Sequence, residues 1–281
     1  MSRAPLPSGP PPPEEVLAAF GASGEPRLLP GGMARTFRCG DVVLKPVDEP
    51  RALHDWVCEV YDAWPAPDVV RVPRPLRAPD GTWAFAGWAA HRWVPGRTAR
   101  APEAPALFRC TSDAFHDVVA ALPRPAFVDE RDDPWAHGDR VAFAEADPVG
   151  PPEVLALLDP LLAARRPLEL SSQVVHGDLG GNVLREPGLP DAVIDWPPYF
   201  RPRGLALAIV ATDAVAWEGA PASFLDAWSD VPEWPQLMLR SVICRIATRG
   251  KHEELGWPTT DSVTAYAVAR RPSVEMVLAR L

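Results

Sequence analysis

With 281 residues, of which 47% are hydrophobic, the chain is long enough to bury a sizeable apolar core in one or two units. Its net charge of −9 disfavours the general attraction to phosphate that nucleic-acid binding requires, so we expect no nucleic-acid partner. The first residues lack the apolar core of a signal peptide, and no run approaches the roughly 20 apolar residues that span a bilayer. We therefore expect a cytoplasmic protein without a membrane partner.

The first third of the chain is rich in strand signals. A proline-rich arm over residues 1–13 is expected to be flexible. The predicted elements that follow are a helix at 14–20, strands at 27–29, 33–38 and 42–47, a helix at 51–64, and strands at 72–77 and 83–93. The turn residues between the first three strands predict an antiparallel meander. Pro95 and Gly96 then interrupt the pattern.

Helical periodicity dominates the rest of the chain. The predicted elements are helices at 103–122, 140–146, 153–164, 205–217 and 234–248, and short strands at 173–175, 182–184 and 192–194. A strand-rich first part and a mostly helical remainder predict an α+β fold with two lobes, over 14–95 and 96–281. The first lobe would be an antiparallel sheet with one main helix.

The residues that carry most chemical information lie in VVHGDLGGNVLREPGLPDAVIDW, at 174–196. Asp178, Asn182 and Asp195 stand at or beside the ends of short strands, where the floor of a cleft can present side chains to a ligand. Phosphoryl transfer needs one carboxylate that orients the attacking hydroxyl and accepts its proton, and further oxygens that hold magnesium. The pattern predicts Asp178 as the catalytic base and Asn182 and Asp195 as metal ligands.

HGDLGGNVL followed by VIDW resembles the catalytic loop and metal-binding segment of the aminoglycoside phosphotransferase and choline kinase family. The resemblance implies a two-lobed, protein-kinase-like fold, with a nucleotide-binding first lobe and a second lobe that carries catalysis and binds the acceptor. It implies a small-molecule kinase that transfers phosphate from ATP or GTP, with Mg²⁺, to a hydroxyl acceptor. It also makes His176 a structural support of the loop. A narrower resemblance, to an actinobacterial subgroup, rests on PEWPQLMLR at 232–240.

Lysine is rare here, because only Lys45 and Lys251 are lysines among 28 basic residues. The kinase template places a phosphate-binding lysine on the third strand and an acidic partner on the following helix. Lys45 ends VVLK in the third predicted strand. Glu59 is the predicted partner because it lies one turn from Trp56, at the border of the buried helix face, and Glu49 and Asp55 compete with it.

Two further residues are assigned to nucleotide binding by their place near the lobe boundary. His91 and Trp93 belong to the segment that enters this boundary, which is the natural place for backbone contacts to adenine. Together with Lys45 and Glu59, they form the predicted nucleotide site. Neither the identity of the acceptor nor the oligomeric state follows from the sequence.

The sequence departs from the family pattern in two places. Only Leu179, Gly180 and Gly181 separate the aspartate from the asparagine of the loop, one residue fewer than is common, and the backbone freedom of the glycines can absorb the deletion. Gly31 and Gly32, in the turn expected to cover the nucleotide, lack the protein-kinase spacing of three glycines. Two alternatives therefore stand beside an active enzyme: a catalytically weak nucleotide-binding or regulatory protein, and a structural module that binds no nucleotide.

A second HGD sequence, at 137–139, has a different context. No apolar strand precedes it, and no asparagine follows at catalytic-loop spacing. We interpret it as a loop in which Asp139 caps the helix predicted from Arg140.

Overall fold

The structure is a computed structural model that describes residues 9–30 and 34–281. The predicted turn at Gly31 and Gly32 and the first eight residues of the predicted arm lie outside these ranges. The chain forms two compact units: the first extends to Arg97 and includes Leu184–Ile194, and the second consists of Thr98–Val183 and Asp195–Leu281.

Residues 184–194 pack with the first unit, although the predicted boundary at residue 95 left them in the second lobe. The backbone N–H of Arg71 donates to the carbonyl of Asp191 at 2.9 Å, and its guanidinium donates to the carbonyl of Pro190 at 2.6 Å. These long-range hydrogen bonds tie the segment to the first unit. The binding functions assigned to the two lobes stay predictions.

The first unit contains a five-stranded antiparallel sheet with the order β1-β2-β3-β5-β4. Its elements are α1 (Glu14–Ala19), β1 (Arg27–Leu28), β2 (Phe37–Cys39), β3 (Val42–Pro46), α2 (Arg51–Asp62), β4 (Ala84–Phe85) and β5 (Trp88–Arg92). The predicted meander of the first three strands is confirmed by their antiparallel pairing.

One face of this sheet forms an apolar core with α1. Phe37 and Leu44 of the sheet pack in one cluster with Val16 and Phe20. Because side chains alternate between the two faces of a strand, Lys45 lies on the face opposite to the fully buried Leu44. The packing of the core thus determines where the lysine side chain projects.

Two predicted strands of the first unit differ from the structure. The strand predicted at 83–93 is a hairpin, because Ala86 and Gly87, with φ of 47° and 77°, form a two-residue turn between β4 and β5. The strand predicted at 72–77 is reduced to one isolated bridge, which joins Pro75 to His91. Pro73 and Pro75 lack the N–H groups that a continuous ladder needs.

The remainder of the chain is mostly helical, as predicted. Its elements are β6 (Arg97–Thr98), α3 (Pro105–Val119), α4 (Phe127–Glu130), α5 (Pro134–Ala142), α6 (Pro152–Ala164), β7 (Gln173–His176), β8 (Val183–Arg185), β9 (Ala192–Val193), β10 (Pro198–Arg201), α7 (Leu205–Trp217), α8 (Trp234–Glu254) and α9 (Val263–Leu278). Strand β7 pairs antiparallel with β10, and β8 lies between β6 and β9. Helices α4 and α9 and strands β6 and β10 were not predicted from the sequence.

Helix α8 is the central helix of the second unit, because it packs against α5, α6, α7 and α9. It is buried along most of its length, which is typical of a helix that is apolar on all sides. Arg240, Arg245 and Arg249 nevertheless stand within it, and each needs polar partners in the interior. No helix in the described ranges is both long enough and apolar enough to cross a bilayer.

The second HGD sequence lies inside α5, so the predicted capping role of Asp139 is wrong. Asp133 is the N-cap, and its carboxylate accepts hydrogen bonds from backbone N–H groups of the first turn. Pro134 then occupies the first helical position, a place that proline favours. Asp139 is buried and forms an ion pair with Arg201 at 2.7 Å.

Candidate active site

The loop over residues 177–182 connects β7 to β8, and its first residue has no room for a side chain. A Cβ atom at Gly177 would lie 2.1 Å from a ring carbon of Tyr199 in β10. The N–H of Gly177 donates to the carbonyl of Pro197 at 3.0 Å. The segments that carry Asp178 and Asp195 therefore run side by side within the second unit.

The shortened end of this loop directs an oxygen of Asn182 away from the loop backbone. Gly181 has φ of 77°, a left-handed conformation that favours glycine, and the N–H of Asn182 donates to the carbonyl of Leu179 at 3.1 Å. Nδ2 of Asn182 donates to the backbone carbonyl of Asp178 at 2.7 Å. Its Oδ1 lies on the other side of the amide group and accepts no hydrogen bond from the described part of the chain. This oxygen is suited to a hard cation.

A chain of hydrogen bonds connects the loop to α3. The N–H of Asp178 donates to Nδ1 of His176, and the N–H of His176 donates to Nε2 of His116, each at 3.1 Å. Because Nε2 of His116 accepts, its proton is on Nδ1, which donates to the carbonyl of Ser112 at 2.7 Å. Burial lowers the pKa of His116 to about 3, so the ring is neutral. His176 thus supports the loop through its backbone and its ring.

The carboxylate of Asp178 is held on one side by an arginine that the sequence analysis missed. Its Oδ1 accepts a hydrogen bond at 2.6 Å from Nη2 of Arg245, 67 residues further along the chain in α8. The same Nη2 donates to Asp213 of α7 at 2.6 Å. Oδ2 of Asp178 accepts no hydrogen bond within residues 9–30 and 34–281, and the side chain is 46% exposed. The available signal was an arginine between the apolar residues Ile243 and Ile246 of the predicted helix 234–248.

Asp195 combines an exposed position with a left-handed backbone. Its φ is 49°, a conformation that aspartate tolerates better than most residues and that often marks functional positions. The next residue, Trp196, is buried, and its indole N–H donates to the carbonyl of Val175 at 3.1 Å. The backbone after Asp195 is thereby anchored to β7. Asn182 and Asp195 together offer amide and carboxylate oxygens, which suit Mg²⁺ because it commonly takes one or two protein ligands besides phosphates and water.

In the first unit, Lys45 lies beside Glu49. Its Nζ is 4.0 Å from Oε1 of Glu49, which is also 3.2 Å from Nδ1 of the buried His54. Burial tends to raise the pKa of Glu49, but the hydrogen bond to His54 and the charge of Lys45 outweigh it and lower the pKa to about 2. Glu49 is therefore an ionised partner of the lysine.

Glu59, the predicted partner of Lys45, is exposed on α2 and forms no ion pair with Lys45 in the described part of the chain. The buried residues of α2 are Leu53, His54, Cys58 and Tyr61. Trp56 is only half-buried, so the buried face is centred elsewhere than the sequence analysis placed it. Each helical residue is rotated by about 100° from the preceding one, which turns Glu59 away from the face of Cys58. Glu49, one of the two competitors of Glu59, is thus the acidic residue found beside Lys45, and a role of Glu59 in nucleotide binding stays a prediction.

The two residues predicted to contact adenine have different surroundings. His91 is half-buried in β5, and burial followed by the charge of Lys45 lowers its pKa to about 3, which leaves it neutral. The N–H of Trp93 donates to the carbonyl of Asp41 at 2.7 Å, and the guanidinium of Arg38 lies 4.1 Å from the ring centroid of Trp93. The Trp93 amide is therefore already used, and it is a poor donor to adenine. Nucleotide contacts of His91 and Trp93 both stay predictions.

The fold is that of solved small-molecule kinases. A choline/ethanolamine kinase family protein from Mesorhizobium loti matches with a TM-score of 0.60 and 19% identity, over 94% of this chain and 92% of that one. An aminoglycoside phosphotransferase from Alicyclobacillus acidocaldarius matches with a TM-score of 0.58 and 15% identity, over 97% and 95% of the two chains. Spectinomycin phosphotransferase, in complex with ADP and spectinomycin, matches with a TM-score of 0.55 and 12% identity, over 95% and 96%.

These structural matches confirm the predicted protein-kinase-like fold class. No protein-family model matches the sequence, and the comparison with curated proteins finds no match. The actinobacterial subgroup stays a prediction.

Proposed function

We propose that the protein is an enzyme that transfers the γ-phosphate of ATP or GTP to a hydroxyl group of a small molecule, with Mg²⁺. The observation that carries the proposal is the state of Asp178: its backbone N–H and Oδ1 are held by His176 and Arg245, while Oδ2 faces no donor in the described ranges. The likeness in fold to a choline/ethanolamine kinase family protein and to aminoglycoside phosphotransferases supports it. The ADP in the matched spectinomycin phosphotransferase supports nucleotide use.

In this proposal, Oδ2 of Asp178 orients the acceptor hydroxyl and accepts its proton. Phosphoryl transfer has a loose transition state in most descriptions, so the position of the attacking oxygen matters more than strong proton abstraction. A carboxylate that is held at one oxygen and open at the other meets this need. His176 and Asn182 hold the backbone on both sides of the carboxylate.

The residues suited to the metal are Asn182, through Oδ1, and Asp195. Bound there, Mg²⁺ would neutralise the charge of the triphosphate. Lys45, kept charged and directed by Glu49, would bind the nucleotide phosphates in both the ground state and the transition state. Its removal should therefore weaken nucleotide binding as well as turnover.

The test is phosphate transfer by the purified protein with Mg-ATP or Mg-GTP and a panel of hydroxyl compounds. The panel includes choline, ethanolamine and spectinomycin, after the names and the complex of the matched kinases, and uncharged sugars. Asp178→Asn changes little volume, so we expect transfer to fall below about 1% with nucleotide affinity nearly unchanged. Lys45→Ala is expected to lower both nucleotide affinity and turnover.

The outcomes separate the competing functions. An Asp178→Asn variant that keeps most of its turnover would contradict the catalytic assignment. Nucleotide binding by the wild type without transfer to any compound or to water would favour the weak, kinase-like nucleotide-binding protein. If Mg-nucleotide gave no thermal stabilisation, the structural module would be favoured instead.

A further inference from the structure

We infer that Arg245 is a positioning residue for Asp178, and that Asp213 fixes Arg245 in this role. The inference rests on the proposed function, since it concerns how the loop carboxylate is aimed at an acceptor. It adds a residue of α8 and a residue of α7 to the candidate catalytic and metal-binding residues, which all lie in the segment 174–196.

The geometry connects three side chains from three elements of the second unit. Nη2 of Arg245 lies 2.6 Å from Oδ1 of Asp178 and 2.6 Å from Oδ2 of Asp213, and its Nε lies 3.2 Å from that same Asp213 oxygen. The side chains of Arg245 and Asp213 are 20% and 18% exposed. Burial tends to lower the pKa of Arg245, but Asp213 and Asp178 outweigh burial and raise it above its usual range, so the guanidinium stays charged.

The orientation of the Asp178 carboxylate depends on having such a partner. The torsion that sets the plane of an aspartate carboxylate has a broad, shallow preference, and an exposed carboxylate on a loop can rotate freely about it. A planar guanidinium with fixed donor directions restricts this rotation. Because Arg245 binds Oδ1, the other oxygen of Asp178 is left for the acceptor.

Asp213 gives Arg245 a fixed orientation. Two nitrogens of Arg245 donate to the Asp213 carboxylate, which leaves the shared Nη2 directed at Asp178 as well. The hydroxyl of Tyr266 in α9 donates to the backbone carbonyl of Arg245 at 3.4 Å, so the backbone of this residue is also held. The arginine is thus fixed before any substrate binds, and the carboxylate is placed by it.

Arg249 provides a matched control one turn further along α8. It is equally an ion-paired arginine in the interior, with Nε 2.6 Å from Glu253 and Nη1 2.8 Å from Asp261, and its side chain is 7% exposed. Its hydrogen-bond partners in the described ranges lie on α8 and in the segment before α9, and none of them belongs to the loop. Removing Arg249 therefore perturbs helix packing without removing a contact to Asp178.

The experiment compares Arg245→Met, Arg245→Lys, Asp213→Asn and Arg249→Met in the full chain, with the acceptor that the wild type turns over fastest, or with water if ATP hydrolysis is the fastest reaction. We expect Arg245→Met to lower kcat about 100-fold, because misplacement by about 1 Å of a reacting group has this effect, while the KM for ATP changes less than about threefold. Arg245→Lys should recover part of the loss, and Asp213→Asn should lose less than Arg245→Met. Arg249→Met should keep kcat within about threefold of the wild type, even if its melting temperature falls.

Arg245→Met leaves the carboxylate of Asp213 buried without its partner, which destabilises the fold. The double variant Arg245→Met/Asp213→Asn also lacks the guanidinium but leaves no buried carboxylate unpaired, so it is measured in parallel. If both variants that lack the guanidinium keep wild-type kcat, or if Arg249→Met loses as much as Arg245→Met, the positioning role is overturned while the proposed function stands. A wild type that transfers phosphate to no compound and hydrolyses no ATP overturns the proposed function and, with it, this role.

Discussion

Three glycines of one loop should respond differently to the same added methyl group, and Gly177 should respond most strongly. In Gly177→Ala the new Cβ would lie 2.1 and 2.2 Å from two ring carbons of Tyr199. Carbon atoms in contact are normally about 3.5–4.0 Å apart, so the ring and the loop have to separate by roughly 1.5 Å. Tyr199 is only 9% exposed, so its ring cannot turn into solvent.

The size of the destabilisation expected for Gly177→Ala follows from the position of the Tyr199 ring. Tyr199 belongs to β10, which pairs with β7, and the guanidinium of Arg131 lies 5.0 Å from its ring centroid. A shift of the ring therefore disturbs the sheet that carries the loop. We expect Gly177→Ala to destabilise the fold by about 2–3 kcal/mol, the upper part of the range for overpacking. Displacement of Asp178 should also lower turnover by about 100-fold.

Two neighbouring glycines provide the controls. An added Cβ at Gly180 meets no atom within 4 Å, and this residue does not have a positive φ, so Gly180→Ala should be neutral or stabilise by about 0.4–1 kcal/mol. Gly181 also has open space, but its φ of 77° should make Gly181→Ala destabilising by about 1–2 kcal/mol. The measurement is the free energy of unfolding in urea, with turnover assayed in parallel. Equal stability of Gly177→Ala and Gly180→Ala would refute the close contact with Tyr199.

Two further predictions concern the metal and the buried histidine. Asp195→Ala should remove most magnesium-dependent nucleotide binding and turnover. Asn182→Ala should leave nucleotide binding measurable and raise the magnesium concentration needed for turnover. The two variants should differ because a carboxylate brings a full charge to the metal and an amide only a dipole. Equal damage in a magnesium titration of both variants would contradict this order. Burial lowers the pKa of His116 from its ordinary 6.5 to about 3. Between pH 6.5 and pH 3 the unfolded chain therefore binds a proton on this ring that the folded chain does not bind. The free energy of unfolding should fall as the pH drops through this range, by up to about 1.4 kcal/mol per pH unit. His116→Asn should make the fall shallower, and identical pH dependence of urea unfolding in the two proteins would rule out His116 as its source.

The candidate catalytic and metal-binding residues could be proposed from the sequence because they lie close together along the chain. The segment 174–196 contains the short strands and the oxygen-bearing residues within 23 consecutive positions. An apolar strand followed by a glycine-containing loop can be recognised from these neighbouring residues alone. The place of Lys45 on β3 was also predictable, since a five-residue strand alternates between two faces and its neighbour Leu44 is apolar. Local periodicity was sufficient for both.

Local periodicity was insufficient where the elements packed against a helix decide which of its faces is buried. The buried face of α2 follows His54 and Cys58, which turns Glu59 outward and leaves Glu49 beside Lys45. From the sequence, Glu59 was placed at the border of the buried face, one turn from Trp56, because an aromatic residue at helical spacing looks the same whether it is fully or half-buried. An error of one residue in a helix rotates the assignment by about 100°.

The sequence by itself determined the class of fold, the loop with Asp178 and the oxygen-bearing residues proposed for the metal. Only the tertiary structure decided what holds this loop in place: His116 reaches it from α3, and Arg245 from α8. Such contacts join residues 60 and 67 positions apart in the chain, and no spacing rule of a helix or strand encodes them. They arise because α3 and α7 pack against β7 and α8 packs against α7, which brings polar groups together, and each buried polar group needs a partner.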